Sequence, residues 1–444
     1  MIDLHVHSTA SDGMLSPSEV VSLAKEVGIT TMALTDHDTI AGVKEAIDAG
    51  NKLGINVIPG IELSAEFDDQ LHILGYFVDI EDKNFNEFLD DIVQKRIAKN
   101  KRYLKCFNDN GIDITYEELT VVAKSDDMIL KPHFATLLKN KGIIDNVKEA
   151  YTKFFDVEPY KSVLSTKPSA KEVIEAITNA GGIAVMAHPI LTKLNDEDLR
   201  KLIFELKSYG LKGIEVYHSD HSKEDKEKYI KYAEEFNLLI TGGNDFHGEG
   251  VKPGLKLGSG YNNENIITDT SIVCDLKDAY DKMHGDKKYT DKRISARGLV
   301  IHDNKVLTLK RIKENKFDGK PYYVLPGGGN ENNETDRNNI LREMKEEIDE
   351  IVKPISMFAT LEDETSYQHF FQCELSHYDN LHLGTGDGEE FVDASRGSYE
   401  IFWIDLDEID NYNLCPPEIK EKIIDRFVNK NNLDKEYYVI NLCE

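Results

Sequence analysis

Two histidines near the beginning of the chain are spaced so that both could bind one metal ion. The sequence opens MIDLHVHSTASDG, and His5 and His7 lie in a segment typical of a β-strand. Because alternate residues of a strand face the same side, the two imidazoles point the same way, with Val6 on the other face. Imidazoles fill a core poorly and bind metals well, although this short pattern alone also fits a solvated edge strand.

Further histidine and carboxylate side chains lie at the ends of strand-like segments in the first half of the chain. They are His37 after MALTD, Glu62 after VIPGI, His72 at the start of HILGY, His188 after IAVMA, and Asp245 and His247 in the final part of LLITGGNDFH. In a barrel, the C-terminal ends of parallel strands meet at one face, where active sites are built. The sequence therefore predicts a metal site at that face.

The ligand types restrict the metal and the chemistry. Imidazoles and carboxylates without thiolates suit Mn²⁺, Fe²⁺ or Zn²⁺ rather than a structural zinc site. The set is too large for one ion, and carboxylates such as Glu62 and Asp245 can bridge two. A multinuclear site activates a bridging water and stabilises both oxygens of an in-line displacement, which is the chemistry of phosphoester hydrolysis.

A second group of carboxylates lies in the stretch VLPGGGNENNETDRNNILREMKEEIDE. Glu343, Glu346 and Glu347 are spaced i, i+3, i+4 and share one face of a predicted helix. They repel one another unless a cation lies between them, and Mg²⁺ prefers such oxygen ligands. An ordinary charged surface helix would explain the three glutamates taken alone.

The elements that position the first group alternate between strand and helix signals. SPSEVVSLAKEVG, for example, places Ser16 at a helix cap, Pro17 at the first helical position and Gly28 at the end. Repetition of strand and helix predicts an α/β domain with a parallel sheet or barrel. We place this domain at residues 1–275, with a helical insertion at about 82–166.

The rest of the chain divides into three parts by composition. Residues 276–292 are charged and are assigned to a linker. Strand-rich sequence resumes at 293 and predicts a second domain over 293–428. Residues 429–444 are mostly polar and are assigned to a C-terminal tail.

The amino-acid composition restricts the classes of molecule that the protein could bind and the cellular compartment expected for it. Of the 444 residues, 81 are acidic and 53 basic, giving a formal charge of −28, which repels long nucleic acid unless a local basic groove overrides it. The five cysteines form no C-x-x-C pair, which favours a reducing compartment. The first residues lack the basic and apolar regions of a signal peptide, and no segment is apolar enough to span a membrane. We therefore expect a cytoplasmic protein without a membrane partner.

The histidine-rich half of the chain resembles the PHP (polymerase and histidinol phosphatase) metal-dependent phosphoesterases over about residues 1–261. The matching motifs are His5-x-His7, Ser11-Asp12-Gly13, Thr35-Asp36-His37, Gly60-Ile61-Glu62, Ala187-His188-Pro189 and Asn244-Asp245-Phe246-His247. The likeness is strongest to the branch that dephosphorylates nucleoside 3′,5′-bisphosphates and 5′-nucleotides, some members of which also trim RNA from the 5′ end. It implies a distorted (β/α)₇ barrel with two or three divalent ions, of which Mn²⁺ is the expected one.

The resemblance also implies a distribution of ligands among three ions. The first would be bound by His5, His7, Glu62 and Asp245, the second by Glu62, His72 and His133, and the third by Asp12, His37, His188 and His247. Asp245 and His188 are the implied catalytic residues of this domain.

Phosphate-binding residues are implied less directly. The branch usually has Arg before the Pro-His of KPHFA, where this chain has Lys131, a point charge instead of a bidentate group. Arg96 and Arg102 on the inserted helix are further candidates, with a solvated helix face as the alternative. His218 and His221 are candidates for contact with substrate or for support of the ligands.

The carboxylate-rich helix resembles the box of the Nudix pyrophosphohydrolases, and the likeness covers about residues 293–427. The spacing runs from Gly328 through Glu334 to Arg342-Glu343-Met344-x-Glu346-Glu347. It implies an α+β domain with an α/β/α sandwich that binds Mg²⁺ or Mn²⁺ through Glu343, Glu346 and Glu347, with Glu334 in support and Arg342 orienting a glutamate. The box normally ends in Gly and an apolar residue, where this chain has Asp349 and Glu350. Asp tolerates the left-handed conformation, so we expect modest strain and an intact metal-binding face.

These observations lead to one function hypothesis and three alternatives. We expect a hydrolase of small nucleotides, in which the barrel removes a phosphate monoester and the Nudix domain cleaves a pyrophosphate bond. The alternatives are processing of short RNA from its 5′ end, a barrel regulated by a nucleotide-sensing Nudix domain, and a barrel acting on histidinol phosphate.

Overall fold

The computed structural model contains two compact units, residues Met1–Ile267 and Thr268–Glu444. The residues that it describes are 1–67, 70–123, 125–126, 129–163, 167–285, 292–313, 317–331, 334–379, 381–384, 398–432 and 438–442. Within them, no helix combines the length and the apolar character that crossing a membrane requires.

The first unit is built on a seven-stranded sheet whose strands follow one another in chain order. They are β1 (Ile2–Val6), β2 (Thr31–Leu34), β3 (Asn56–Ser64), β4 (His72–Tyr76), β5 (Ile183–Met186), β6 (Gly213–Tyr217) and β7 (Leu239–Gly242). All neighbours are parallel except β4, which runs antiparallel to both β3 and β5. The prediction of a parallel sheet is therefore wrong for this one strand, which returns directly from β3 without a crossover helix.

The sheet is nearly closed through the segment after β7. Phe246 forms a parallel bridge with Val6, and the backbone N–H of His7 donates to the Phe246 carbonyl oxygen at 2.9 Å. Gly243 makes this approach possible, because a Cβ at that position would collide with the backbone nitrogen of His5. This arrangement is the barrel-like α/β architecture that the sequence predicted.

Helices cover the outside of this sheet. They are α1 (Pro17–Val27), α2 (Val43–Leu53), α6 (Ala170–Asn179), α7 (Asp196–Ser208) and α8 (Lys223–Glu235). Helix α1 begins and ends where the sequence predicted: the Ser16 hydroxyl accepts from the Glu19 N–H at 3.3 Å, and Gly28 ends the helix with φ of 84°. Val20, Val21 and Ala24 of α1 pack against the buried side of the first strands.

Within the described residues, the region predicted as a helical insertion contains three α-helices with a core of their own. They are α3 (Lys83–Asp109), α4 (Tyr116–Ala123) and α5 (Lys131–Asn140). Asp82 caps α3 by accepting from the Phe85 N–H at 2.7 Å. Phe107, Phe134 and Phe155 lie in one aromatic cluster that fixes the helices against one another.

The second unit contains a nine-stranded mixed sheet ordered β17-β12-β11-β10-β15-β14-β18, with β13 paired to β10 and β16 paired to β11. Its strands are β10 (Arg293–His302), β11 (Lys305–Ile312), β12 (Tyr322–Val324), β13 (Gly327–Gly329), β14 (Val352–Glu362), β15 (Ser366–Leu375), β16 (Ser398–Asp405), β17 (Leu414–Cys415) and β18 (Tyr438–Asn441). The short pair β8 (Leu255–Lys256) and β9 (Gly260–Tyr261) belongs to the first unit.

Among the described residues, the second unit has three α-helices: α9 (Ser271–Met283), α10 (Asp336–Ile348) and α11 (Pro417–Ile423). Ile340, Met344 and Ile348 of α10 pack on one hydrophobic cluster, and Ile419 and Ile423 of α11 pack on another. The helices therefore cover two apolar layers of the sheet, in agreement with the predicted sandwich.

Two stretches differ from the boundaries predicted by composition. Residues 276–283, assigned to a charged linker, are the second part of helix α9, and residues 286–291 of that linker lie outside the described residues. The chain end, assigned to a tail, contributes β18, which pairs in parallel with β14. In both cases the polar composition predicted an irregular segment, whereas the structure has a helix or strand that packs in the second unit.

Candidate metal centre and active sites

Except for His133 on α5, the predicted ligands of the first unit lie in six strands of the sheet or in the segments that follow them. His5 and His7 lie at the end of β1, Glu62 lies in β3, His188 follows β5, and Asp245 follows β7. Because β4 is antiparallel, its first residue reaches the same rim that the other strands reach with their last residues. This reversal is what brings His72 to the cluster.

Glu62 lies at the centre of the cluster. Its Oε2 is 3.2 Å from His5 Nε2, 3.2 Å from His7 Nε2 and 3.1 Å from His37 Nδ1. Its Oε1 is 2.8 Å from both His72 Nδ1 and His188 Nε2. The Glu62 side chain is fully buried. One carboxylate thus contacts imidazoles from several strands.

Three overlapping sets of side chains have the spacing of metal ligands, with ligand atoms that all lie within 4.8 Å of one another in each set. The sets are His5, His7, Glu62 and Asp245; His7, Asp12, His37 and His247; and His37, Glu62 and His72. The first set has the same members as the first predicted ion site. His7, His37 and Glu62 each belong to two sets, so the positions share ligands.

The buried atoms of the cluster test whether a metal would fit. Among the described residues, several have no hydrogen-bond partner although they are shielded from water: His5 Nε2, His7 Nδ1 and Nε2, His37 Nδ1, Glu62 Oε2, His218 Nε2 and Asp245 Oδ1. Leaving so many polar atoms unpaired is costly unless something else binds them. Imidazole nitrogens facing carboxylate oxygens are suitable ligands for divalent transition ions, so the residues present fit the predicted metals.

Two predicted ligands are placed differently from the predicted distribution. His188 lies beside Glu62 instead of with Asp12, because β5 neighbours β4, whereas Asp12, His37 and His247 follow β1, β2 and β7 on the other side of the rim. His133 belongs to none of the three sets. Its Nδ1 accepts from the Leu130 N–H at 3.0 Å in the first turn of α5.

The carboxylates of the cluster are ionised despite their burial. Burial raises the pKa of Glu62, but the surrounding histidines, His37 and His5 foremost, bring it well below the usual range. Burial also raises the pKa of Asp245. The charge of Lys252, its ion-pair partner, lowers that pKa most, and the net pKa lies well below the usual range. Burial lowers the pKa of His37 to about 4, so this imidazole is neutral and able to bind a cation.

Sequence reasoning missed Glu215, which supports two of the histidines. Its Oε1 is 2.9 Å from His5 Nδ1, and its Oε2 accepts from the His188 backbone N–H at 2.8 Å. Burial opposes ionisation, yet His5 and His218 lower the pKa of Glu215 to about 2. The signal was present in the sequence, because a fully buried acid in the apolar strand GIEVY requires a partner.

The two candidate histidines after β6 are both buried but have different surroundings. His218 joins His5 and Glu215 in a further ligand-like set, and its Nε2 is 3.5 Å from Asp245 Oδ2. His221 lies behind it, with Nδ1 2.8 Å from the Val216 carbonyl oxygen and ring centroids 5.2 Å apart. His218 therefore belongs to the cluster, and His221 supports it.

Positive side chains in the insertion and directly after it form a group that we name the basic cluster: Lys99, Lys131, Lys167 and Arg96. Burial, together with the charges of Lys167, Arg96 and Lys131, lowers the pKa of Lys99 to about 8. Lys167 also acts on the rim, since its charge contributes after burial to the lowered pKa of His72. Three of these cations project from α3 and α5, and mutual repulsion of this kind favours an anion between them.

Arg96 and Arg102 were both predicted to bind phosphate, and they differ from each other in burial and in contacts. Arg96 is only 5% exposed, and its guanidinium lies 2.5 Å from Asp38 Oδ2, which connects α3 to the rim of the barrel. Arg102 lies further along α3 and is exposed, and no contact among the described residues joins it to the basic cluster.

In the second unit, Arg342 holds the glutamates of α10 together. Its guanidinium donates to Glu334 Oε1 at 2.7 Å, to Glu343 Oε1 at 3.0 Å and to Glu346 Oε2 at 3.0 Å. Glu347 Oε2 accepts from the Gly327 N–H at 2.7 Å, and burial raises the pKa of Glu347 to about 8. Gly328 packs on Glu343 so closely that a Cβ would collide with the carboxylate.

The end of α10 has the conformation that the altered Nudix box required. Asp349 adopts the left-handed region with φ of 53° and ψ of 30°, and its N–H donates to the Lys345 carbonyl oxygen at 3.1 Å. Its carboxylate pairs with Lys345 at 2.5 Å. The helix therefore keeps the predicted face with Glu343, Glu346 and Glu347, with Asp349 in the place where the box usually has Gly.

Comparison with known proteins identifies both units. The PHP domain family matches residues 3–240, which is more than half of the chain. The chain belongs to the PHP family. The NUDIX domain family matches residues 292–427, so this PHP protein carries a Nudix domain in its second unit. It is therefore a hydrolase of the PHP phosphoesterase type with a Nudix domain attached.

Relatives of the PHP half have been assigned more than one activity. A 5′-3′ exoribonuclease of Haemophilus influenzae is 33% identical over 249 residues, which cover 55% of this chain and 89% of that protein. A 3′,5′-nucleoside bisphosphate phosphatase of Chromobacterium violaceum is 30% identical over 250 residues, covering 56% and 88%. A solved structure of an amidohydrolase from the same species, with bound sulfate, is 30% identical with a TM-score of 0.52, covering 56% and 88%.

Proposed function

We propose that the PHP domain hydrolyses phosphate monoesters of nucleotides, either 3′,5′-bisphosphates or 5′-monophosphates. The observation that carries this proposal is the set of overlapping ligand groups around Glu62. Divalent ions bound there, Mn²⁺ being the expected one, would polarise the phosphate and supply an activated water. Asp245 and His188 are the proposed catalytic residues, because both contact the cluster: His188 Nε2 is 2.8 Å from Glu62 Oε1, and Asp245 Oδ1 is 3.5 Å from His5 Nε2.

The basic cluster supports a substrate with a second phosphate. Lys131 is half-buried, with its Nζ 5.2 Å from the centre of the Phe155 ring, so its position is restricted. Lys99 and Lys167 add charge near the same place. A cleaved phosphate would lie at the metal centre and a retained one at the basic cluster, which suits a nucleoside bisphosphate better than a monophosphate.

We propose a second activity for the Nudix domain, the cleavage of a pyrophosphate bond in nucleoside diphosphate derivatives with Mg²⁺ or Mn²⁺. The three glutamates on one face of α10 support it, two of which, Glu343 and Glu346, share a contact with Arg342. A hypothesis that joins the two domains is that Nudix cleavage yields a nucleoside monophosphate, which the barrel then dephosphorylates. Unrelated substrate preferences in the two activities would contradict that connection.

The test uses full-length protein with Mn²⁺ or Mg²⁺ and a panel of nucleotides, with products separated by chromatography. The panel contains AMP, adenosine 3′,5′-bisphosphate, ADP-ribose, nucleoside triphosphates, histidinol phosphate and a short 5′-phosphorylated RNA. Asp245→Asn and Glu346→Gln serve as controls for each other. We expect phosphate release to be lost only in Asp245→Asn and pyrophosphate cleavage only in Glu346→Gln.

Other outcomes separate the alternatives. Phosphate release without any pyrophosphate cleavage by the wild type, together with nucleotide binding that depends on Glu346, would make the Nudix domain a sensor. Absence of phosphate release from every substrate would overturn the proposal for the barrel.

A second candidate is 5′-to-3′ digestion of short RNA, which the named activity of the Haemophilus influenzae relative favours. The formal charge of −28 opposes binding of long RNA, although the basic cluster and the neighbouring lysines of α3 could supply a local groove. Stepwise shortening of the 5′-phosphorylated RNA, with an affinity that falls steeply as salt rises, would support this activity. Turnover of mononucleotides alone would exclude it.

A further inference from the structure

The second unit holds another cluster of ionisable side chains, outside both sites described above. Asp278 of α9, Asp336 at the start of α10 and His369 of β15 offer ligand atoms that lie within 4.8 Å of one another. All three side chains are buried. Asp278 precedes the region matched by the Nudix family, so the cluster connects α9 to that domain.

His369 is oriented by a carboxylate on one side of its ring. Its Nδ1 is hydrogen-bonded to Asp336 Oδ2, and Asp336 Oδ1 accepts from the Asn330 amide at 2.6 Å. This leaves Nε2 on the opposite side, 3.3 Å from Asp278 Oδ2. The residue is 0% exposed, and among the described residues Nε2 has no hydrogen-bond partner.

Asp275 provides a further buried carboxylate one helical turn before Asp278. It is 7% exposed, and its Oδ1 likewise has no hydrogen-bond partner in the described part of the chain. Burial, followed by the charges of Asp336 and Asp278, raises its pKa well above the usual range. A carboxylate in this position is costly unless a cation lies beside it.

Two positive side chains among the described residues lie close to these carboxylates. Arg337 donates to Asp269 Oδ2 at 3.3 Å, and the Lys282 ammonium is 3.9 Å from Asp336 Oδ1. The charge of Arg337 also acts on Asp275, where it lowers the pKa without outweighing burial. Within the described residues, His369 Nε2 and Asp275 Oδ1 still have no hydrogen-bond partner.

We propose that this cluster binds one divalent first-row transition ion through His369 Nε2 and the carboxylates of Asp278 and Asp275, with Asp336 holding the imidazole in place. A carboxylate on the far nitrogen of a metal-binding histidine is a recurrent arrangement, because it fixes the tautomer and raises the basicity of the ligand. One imidazole with carboxylates suits Zn²⁺ or Mn²⁺ and is a poor match for Mg²⁺ or Ca²⁺.

The separation of the two facing atoms agrees with a common ion. Ligands about 2.0–2.2 Å from a tetrahedral ion stand roughly 3.3–3.6 Å apart. The 3.3 Å between His369 Nε2 and Asp278 Oδ2 lies at the lower end of that range, and the pair lacks hydrogen-bond geometry. An ion here would connect α9, the first turn of α10 and β15, so its role is to stabilise the second unit.

The competing account is a protonated His369 between two carboxylates. Burial lowers its pKa, but Asp336 and Asp278 outweigh burial and raise it to about 9. The two accounts differ over Asp275. Without a metal, Asp275→Asn removes a buried, poorly compensated acid and leaves the unit as stable or more stable. With a metal, the same change removes a ligand.

The experiment measures metal content and thermal stability in the full-length protein. Wild type, His369→Asn, Asp275→Asn and the control His377→Asn, whose side chain is 77% exposed, are stripped with chelator, reloaded with Zn²⁺ or Mn²⁺, desalted and analysed for metal by mass spectrometry. Trp403, the one tryptophan of the chain, lies in β16 and reports unfolding of the second unit by its fluorescence.

We expect His369→Asn and Asp275→Asn each to bind one metal equivalent per chain fewer than wild type, and His377→Asn to bind the same number. Zn²⁺ should raise the melting temperature reported by Trp403 in wild type and in His377→Asn only. If Asp275→Asn retains the full metal content and melts at the wild-type temperature or above, the proposal is overturned. That readout does not depend on whether His369→Asn folds.

Discussion

The imidazole of His5 lies between two glutamates, with Nδ1 2.9 Å from Glu215 Oε1 and Nε2 3.2 Å from Glu62 Oε2. Since an ionised carboxylate can only accept, Glu215 holds the proton on Nδ1 and leaves the lone pair of Nε2 facing the cluster. Glu215 also accepts from the backbone N–H of His188. It is a positioning residue for ligands from two different strands.

Glu215→Gln should therefore weaken metal binding without removing a ligand. The amide can donate to Nδ1 and favour the wrong tautomer of His5, and changes of this kind cost about 10–100-fold in metal affinity. Metal titration of the chelator-stripped protein measures the loss. Glu227→Gln, at an exposed position of α8, is the matched control. Equal affinities in the two variants would show that Glu215 is merely structural.

The basic cluster should make substrate binding depend on pH through Lys99. Its pKa is lowered to about 8, so the ammonium is charged below pH 8 and neutral above it. We expect kcat/KM of the wild type for adenosine 3′,5′-bisphosphate to fall as the pH rises above 8. The fall should be about tenfold larger than that of Lys99→Arg, because arginine keeps its charge. Lys99→Met should show the weaker binding at every pH. Identical profiles for wild type and Lys99→Arg would assign the change to another group.

Lys131 should contribute to the same phosphate contact. Lys131→Met is expected to raise KM for the bisphosphate by about tenfold, which is the value of one charge-assisted hydrogen bond. KM for AMP should change less, because AMP has no second phosphate to lose that contact. Lys139→Met, at an exposed position on the same helix, controls for general effects of charge. An equal loss for both substrates would place Lys131 at the cleaved phosphate instead.

Gly328→Ala should abolish Nudix activity while leaving phosphate release intact. The new Cβ would collide with the Glu343 carboxylate and displace it from the face that it shares with Glu346 and Glu347. Gly329→Ala is a close control, since its Cβ would meet only the flexible guanidinium of Arg293 at 3.2 Å. Mg²⁺-dependent hydrolysis of ADP-ribose, followed next to phosphate release from AMP, distinguishes the two variants. Full Nudix activity in Gly328→Ala would argue against a role for Glu343.

The position after α10 allows a test of backbone strain. Asp349 has φ of 53°. The free energy of this left-handed conformation is higher for β-branched residues than for Asp, and it is lowest for Gly. We expect Asp349→Val to lower the unfolding free energy of the second unit by about 1–2 kcal/mol relative to Asp349→Gly. Urea unfolding followed by Trp403 fluorescence gives the values. The exposed ion pair with Lys345 contributes little to the difference, because both variants lose it.

Much of the candidate metal centre is predictable from the sequence because it depends on local spacing. The two-residue period of β1 places His5 and His7 on one side, and the ends of parallel strands bring Glu62, His188 and Asp245 to one rim. The direction of β4 was not predictable in the same way. It depends on which strands β4 pairs with, and nothing within HILGY itself records that choice.

Errors in the second half have a different origin. Asp278 and Asp281 lie in the charged stretch predicted as a linker, yet both side chains are buried in α9. Composition predicts solvent exposure only when the charges have no partners, and His369, which faces Asp278 at 3.3 Å, is distant in sequence. Glu215 was missed for the same reason, since its partners lie on β1 and after β5.

The central place of Glu62 has a consequence for how the barrel would acquire its metals. Its Oε2 faces His5, His7 and His37, which between them belong to all three ligand sets, and any two of the sets share one residue. Ions that share a carboxylate in this way would load cooperatively instead of one by one. The enzyme would then lose all of its activity over a narrow range of metal concentration, passing from fully metal-loaded to inactive.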